Sequence, residues 1–261
     1  MKLVAILRVK DEILVIEECL NKLSSLVDEI IILDNGSTDG SLDIYKSFPK
    51  IVKILNTVGF HEGRDKRILL QEAKTRNPDW ITWIDGDEIF EKNLTRSVLE
   101  KYMNSSYNKV DFKLCHFWLN KKRIRIDGTY FAYTVGSQRS MWRNLSGTSF
   151  SNKNIHNGNI RGVYGKNYIS PYRLKHYGCI NREKLQEKYE RCLREDQEGK
   201  RNYPKKNFDA NASVITIKFL EFDNPKYNYI YIQFYKYITE LIHHSILLQR
   251  KLRSFFICCS L

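Results

Sequence analysis

The sequence predicts an α/β fold: a single, Rossmann-like, mainly parallel sheet flanked by helices, followed by a helical C-terminal extension. Two observations point there. Short apolar runs alternate with segments of helical periodicity through the first part of the chain, and such alternation implies a parallel sheet with helices on both faces. Polar residues end these runs: Arg8, then Asp34, then the pair Asp85 and Asp87. In sheets of this kind ligands bind outside the carboxyl ends of the strands, so all four residues fall along one rim.

Residues 2–9 (KLVAILRV) read as a first buried strand. Asp11 and Glu12 open a helix on which Ile16, Leu20, Leu23 and Val27 recur at helical spacing. Residues 30–33 are a second strand ending in Asp34-Asn35-Gly36-Ser37-Thr38-Asp39-Gly40, a polar, glycine-bearing turn before a short helix near residues 42–47. Residues 51–55 are a third strand. Residues 63–74 set Leu69, Leu70 and Ala73 on one face of a third helix, and Pro78 stops it. The run Trp80-Ile81-Thr82-Trp83-Ile84 then fits a strand buried on both faces. Farther on, residues 110–119 and 130–135 alternate as strands do, with a basic turn at 120–125. Residues 181–199 form a charged helix in which Glu187 pairs with Arg191 and Glu190 with Arg194, each four residues apart. Residues 199–204 break it.

The chain has 261 residues, with 43 Lys and Arg against 30 Asp and Glu, a net charge of +13. That excess favours anionic partners: nucleic acid, nucleotide phosphates or an acidic surface. The six cysteines show no metal-ligand spacing, and reduced thiols in a cytoplasmic protein are the simplest expectation. The apolar run at residues 3–7 is cut off by Arg8, too short for a signal-peptide core. No window approaches the roughly twenty apolar residues of a membrane span.

Asp85 and Asp87 stand one residue apart around Gly86, at the end of a buried strand. Such a pair suits a divalent cation, since hard cations take carboxylate oxygens. Alternatively the stretch is an acidic turn in which an Asp or Asn93 caps the next helix. Two other classes fit less well. A basic nucleic-acid-binding protein would explain the charge and the 16 tyrosines, but not carboxylates on the ligand rim, and no nucleic-acid-binding motif is present. A nicotinamide enzyme would need a glycine fingerprint in the first βα turn, and residues 8–12 contain no glycine.

Three segments together, LVAILRVKDE, DEIIILDNGSTDGS and DWITWIDGDEIFE, resemble the family 2 glycosyltransferases of the GT-A fold, in the expected order and spacing across about the first 115 residues. The resemblance implies a nucleoside-diphosphate sugar donor, commonly a UDP-sugar, a glycan or lipid-linked acceptor, and inverting transfer assisted by Mn²⁺ or Mg²⁺. It implies that Asp34 accepts a hydrogen bond from the base. Asp85 and Asp87 match the pair that touches the ribose and, through the metal, the diphosphate. Arg8 lies on the same rim. Lys66 and Arg67 fall where relatives show Arg-Asn, so contact of both with the diphosphate stands beside a solvated helix face as the alternative.

Arg139-Ser140-Met141-Trp142-Arg143-Asn144 resembles an Arg-x-Phe-Arg-Asn segment in which an arginine faces the donor phosphates; an edge strand with solvated arginines is the alternative. Lys175-His176-Tyr177-Gly178 resembles a His-Tyr-Gly segment, which implies that His176 completes the metal shell with Asp85 and Asp87. Many relatives carry His-Glu upstream of that segment, and this chain has His156-Asn157. No Asp or Glu occurs from residue 128 to residue 182. An inverting transfer needs a base for the acceptor hydroxyl proton, which leaves Glu88, Asp111, Asp127, His156 and Glu183. Glu88, next to Asp87, is the first choice.

The expected organisation is a nucleotide-sugar-binding half at 1–115, an acceptor-side half of the same domain at 116–180, and a helical extension at 181–261. Residues 227–261 mix Tyr, Ile, Leu and Phe with Lys, Arg and His. Such a tail either lies on an anionic membrane surface, making the protein peripheral, or packs on the catalytic domain or a second subunit. Cys258-Cys259 beside basic residues adds a weak lipidation signal. The acceptor and donor are the expected partners, with nucleic acid not among them.

Overall fold

The computed structural model describes residues 1–125, 139–154 and 159–195, and the backbone of 214–216. The expectations for the strand at 130–135, for Asp127, for His156-Asn157, for the break at 199–204 and for the tail at 227–261 lie outside the described residues.

The first part of the chain follows the predicted alternation. Strand β1 (Leu3–Val9) leads to helix α1 (Ile16–Ser24), β2 (Glu29–Asp34) to α2 (Ser41–Tyr45), β3 (Ile51–Asn56) to α3 (Glu62–Thr75), and α3 to β4 (Trp80–Asp85). Apolar side chains drive each element inward. Ile16, Cys19, Leu20 and Leu23 make the buried stripe of α1, with Glu17 and Glu18 in its first turn and Lys22 in its last, as the helix dipole favours. Helix α3 is capped by His61, whose Nδ1 accepts from the Arg64 N–H at 3.1 Å.

Next come β5 (Glu88–Phe90), α4 (Arg96–Met103), β6 (Lys109–His116), β7 (Arg123–Arg125), β8 (Arg139–Arg143), β9 (Asn167–His176), α5 (Arg182–Glu195) and β10 (Val214–Thr216). Eight strands form one sheet in the order β3-β2-β1-β4-β8-β6-β9-β5, and β7 and β10 form an antiparallel pair. Apolar layers cover both faces. Leu3, Ala5 and Leu7 pack on the α1 side, while Val4 and Ile6 pack with Leu69, Leu70 and Ala73 of α3.

The expectation of a mainly parallel sheet needs correction. The four strands joined by helices, β3-β2-β1-β4, are parallel. Beyond β4 the sheet is mixed: β8 runs antiparallel to both β4 and β6, β6 and β9 are parallel, and β5 closes the edge antiparallel to β9. The α/β alternation that specifies parallel pairing ends at β4, and the later strands alternate without that pattern. Residues 139–143 are also not an edge strand, since β8 lies between β4 and β6.

These directions set up the site. The carboxyl ends of β1, β4, β6 and β9 and the amino ends of β5 and β8 share one side of the sheet. Arg8, Asp85, His116, His176, Glu88 and Arg139 are therefore brought to one rim by topology. Among the described residues no helix is long and apolar enough to cross a membrane.

Candidate active site

Asp85 ends β4, and Gly86 then turns the chain so that its N–H donates to the Arg8 carbonyl at 3.1 Å. A Cβ on Gly86 would stand 3.0 Å from Val9 Cγ2, so the turn sits hard against β1. Asp87 and Glu88 follow, and Glu88 stands opposite His176 in the β5–β9 register.

Asp87, Glu88 and His176 are buried, and each offers a ligand atom within 4.8 Å of the other two. Asp87 Oδ2 lies 3.2 Å from His176 Nε2. Carboxylate oxygen with imidazole nitrogen is a donor set that suits a divalent cation. Burial by itself would raise the Asp87 carboxyl; the imidazole of His176, with Lys188 and Arg139 farther out, outweighs it and holds Asp87 well below the usual carboxylate range.

Glu88 has a second task. It is closed to solvent, its Oε2 accepts from Arg139 Nε at 2.7 Å and from the Asp85 N–H at 3.0 Å, and its Oε1 accepts from Arg139 Nη2. Arg139 Nη2 also donates to Asp85 Oδ2 at 2.7 Å. Burial shifts the Glu88 carboxyl upward, while burial opposes the charge on Arg139 and the carboxylates of Glu88 and Asp85 outweigh it, raising the guanidinium. Asp85 lies outside the three-residue cluster. Its Oδ1 has no hydrogen-bond partner among the described residues and faces Arg8 Nη2 at 3.9 Å.

The other expected residues divide. Asp34 is buried, and its carboxylate accepts from the N–H groups of Gly36 and Ser37 at 2.8 and 2.6 Å and from the Tyr45 hydroxyl at 2.9 Å. It holds its own turn. Its neighbour Asn35 reaches across to Thr57 Oγ1 at 2.5 Å and Asp65 Oδ2 at 3.1 Å. Lys66 is buried rather than solvated: its ammonium pairs with Glu62 at 2.7 Å and sits 4.7 Å over the Trp83 ring. Burial lowers its pKa. Arg67 is exposed.

Two rim residues escaped the sequence reading. His116, at the end of β6, stacks edge-on against His176 at 4.5 Å between ring centroids, and burial together with that neighbour pushes its pKa well down. Glu12 is pushed up to about 8 by burial and by Asp87 nearby, partly offset by Lys184. Glu12 lies on the turn after the first strand, three residues past Val9, which is a rim position, and that was its available signal.

Comparison with known proteins places the sequence in a family. An uncharacterized glycosyltransferase of Rickettsia bellii (strain RML369-C) is 29% identical over 134 residues, 49% of this chain and 43% of that protein, so the match spans under half of the relative's length. Crystal structures of S. aureus TarS 1–349 with UDP-GlcNAc (15% identity, 75% of this chain, 68% of that one, TM-score 0.44) and of GalNAc-T7 with UDP, GalNAc and Mn²⁺ (11%, 67%, 44%, 0.43) are similar only at that level. The model of glycosyl transferase family 2 matches residues 5–161, more than half of the sequence, and the chain belongs to that family.

Proposed function

We propose that this protein transfers a glycosyl group, with inversion, from a nucleoside-diphosphate sugar, a UDP-sugar, to a glycan or lipid-linked acceptor, on a GT-A arrangement of the sheet. The observation that carries the reading is the approach of Asp87 to His176 on the carboxyl rim of the sheet, in a chain of glycosyl transferase family 2.

Asp87 and His176 are the residues that would hold Mn²⁺ or Mg²⁺, with Asp85 Oδ1 turned to the same rim. When bound, the cation would supply Lewis-acid neutralisation of the charge growing on the leaving nucleoside diphosphate. Arg139 keeps Asp85 and Glu88 in place, and Arg8 brings a second guanidinium to the rim. In the reaction the acceptor hydroxyl oxygen bonds to the anomeric carbon, the bond from that carbon to the diphosphate oxygen breaks, and the hydroxyl proton goes to a base. Glu88 is tied to Arg139, so we assign the proton to Glu12. Glu12 lies on the loop after β1 at the same rim, where Lys184 Nζ stands 3.7 Å from its Oε2, and its carboxylate form can accept the proton.

Calorimetric titration with UDP, GDP, CDP and dTDP, with and without Mn²⁺, tests this reading. Binding of UDP that is lost with chelator is the expected result. UDP binding that ignores chelator removes the metal, and binding to RNA but to none of the four nucleotides would return the protein to the nucleic-acid class.

A further inference from the structure

The helix α5 is amphipathic in an unusual sense. Positions 184, 185, 188, 189, 191, 192 and 195 are buried or half-buried, while 182, 183, 186, 187, 190, 193 and 194 are exposed. The inward set holds three cations, Lys184, Lys188 and Arg191, and one glutamate, Glu195, while the outward set holds glutamates 183, 187 and 190 with Arg182 and Arg194 at the helix ends. Long cations ordinarily keep their heads in water, so a helix that turns them inward is matched to something anionic beneath it.

Its path shows what lies there. Near the start of α5, Lys184 Nζ donates to the Asp11 carbonyl and stands 3.7 Å from Glu12 Oε2, on the loop after β1. At the far end, Glu195 Oε2 accepts from Asn154 Nδ2 at 3.2 Å. Between these anchors Arg191 places its guanidinium 5.3 Å from the centre of the Phe60 ring, in the loop before α3. Lys188 is among the charges acting on Asp87 and on Glu12. The helix thus crosses the rim from the β1 loop to the β3 loop. The pair expected between Glu187 and Arg191 is replaced by the contact with Phe60, and Glu190 accepts from Gln186 instead.

Phe60 carries a second guanidinium. Arg8 lies 4.7 Å from the centre of the same ring. Its Nη1 is buried with no hydrogen-bond partner among the described residues, and its nearest carboxylate oxygen, Asp85 Oδ1, is 3.9 Å away, beyond hydrogen-bond range. Arg191 makes no ion pair among the described residues. Two guanidiniums held by one aromatic ring, beside carboxylates that suit a cation, leave positive charge and donor capacity for an anion with several oxygens. Arginine's planar fork suits phosphate.

We propose that Arg191 on the inner face of α5 binds the donor's diphosphate, completing with Arg8 an anion site organised by Phe60. The inference rests on the nucleotide-donor reading above. It makes α5 part of the donor site, with Arg191 as a binding residue and Phe60 as a positioning residue.

The test is calorimetry on the full chain with Mn²⁺ present, using UDP, inorganic pyrophosphate and uridine as probes. Arg191→Gln keeps the stem and the helix propensity while removing the charge. It is expected to weaken UDP and pyrophosphate by about tenfold to a hundredfold, the range for losing a hydrogen bond to a charged group. Uridine affinity should stay the same, and the dependence of UDP affinity on salt should become shallower. Arg191→Lys should recover part of the loss. Wild-type affinity for UDP in Arg191→Gln overturns the inference and leaves the donor reading standing. Equal losses for UDP and uridine, with unchanged salt dependence, overturn it as well, because α5 then acts only by packing. A wild-type chain that binds no nucleoside diphosphate overturns both.

Discussion

Arg139 grips Glu88 through both carboxylate oxygens, Nε to Oε2 at 2.7 Å and Nη2 to Oε1, at a position closed to solvent. A glutamate held this way is part of the frame. Glu88→Gln takes that carboxylate from the buried guanidinium, which stays bonded to Asp85. Breaking a buried pair by removing one partner costs about 3–5 kcal/mol, and Asp85 keeps the expected loss near ~3 kcal/mol. Denaturant unfolding measures it. A variant that loses glycosyl transfer at unchanged stability would show instead that Glu88 serves as the base.

Asp87→Asn should remove Mn²⁺-dependent binding of UDP and slow any transfer by about 10²–10³, the usual effect of losing one preorganised electrostatic contact. The fold should survive, because the backbone carbonyl of Asp87 still accepts from the Tyr177 N–H at 2.9 Å. Calorimetry with and without Mn²⁺, beside a circular dichroism spectrum, checks both halves. Binding of UDP as tight and as metal-dependent as in the wild type would reduce Asp87 to a turn residue.

The parallel half of the sheet was legible because its strands, helices and turns each carry a local signal. Val4, Ile6, Ile31 and Leu33 announce burial, and Asp34 through Gly40 announce a turn. The mixed half was not, since strand direction depends on pairing between distant residues, as in Thr82 against Met141 and Glu88 against His176. The same limit applies at the site. Asp87 and His176 stand out by type and position, whereas the use of Glu88 to hold Arg139, and of Arg191 to meet Phe60, exists only after the chain has folded. Asp34 shows the converse. Its place on the rim was readable, but the three donors that occupy its carboxylate come from the turn and from Tyr45.

Acid should weaken one link between the ends of β2 and α3. Hydrogen bonds from Arg76 and Lys2 outweigh a small opposing effect of burial and hold Glu29 down at about 2. A carboxyl lowered in the fold contributes stability that is present above its unfolded value, 4.5, and lost as pH falls through 2. The stability difference between wild type and Glu29→Gln should therefore be steady above about pH 5 and close toward pH 2. Its size should stay under about 1 kcal/mol, because the pair is partly exposed and screened. Urea titrations at a series of pH values read the difference. A gap that widens on acidification would contradict the assignment.

Gly178 gives the sharpest test of the cluster. An added Cβ there would stand 2.4 Å from Asp87 Oδ2 and 2.8 and 3.0 Å from Cε1 and Nε2 of His176. Its backbone lies outside the left-handed region that only glycine adopts easily, so alanine brings no conformational strain of its own. The clash falls on the two groups assigned to the metal and must turn one of them aside. Misplacement by about 1 Å can cost about 10²-fold, and Gly178→Ala should weaken Mn²⁺-dependent UDP binding by that order while the unfolding midpoint moves little. Gly63→Ala is the matched control: its Cβ would meet backbone carbonyl oxygens of Ser151 and Lys153 at 2.5 and 2.7 Å, which cannot rotate away. That variant should lose stability first. If Gly178→Ala keeps full metal-dependent binding, Asp87 and His176 do not jointly hold the cation, and the metal site must be sought around Asp85 instead.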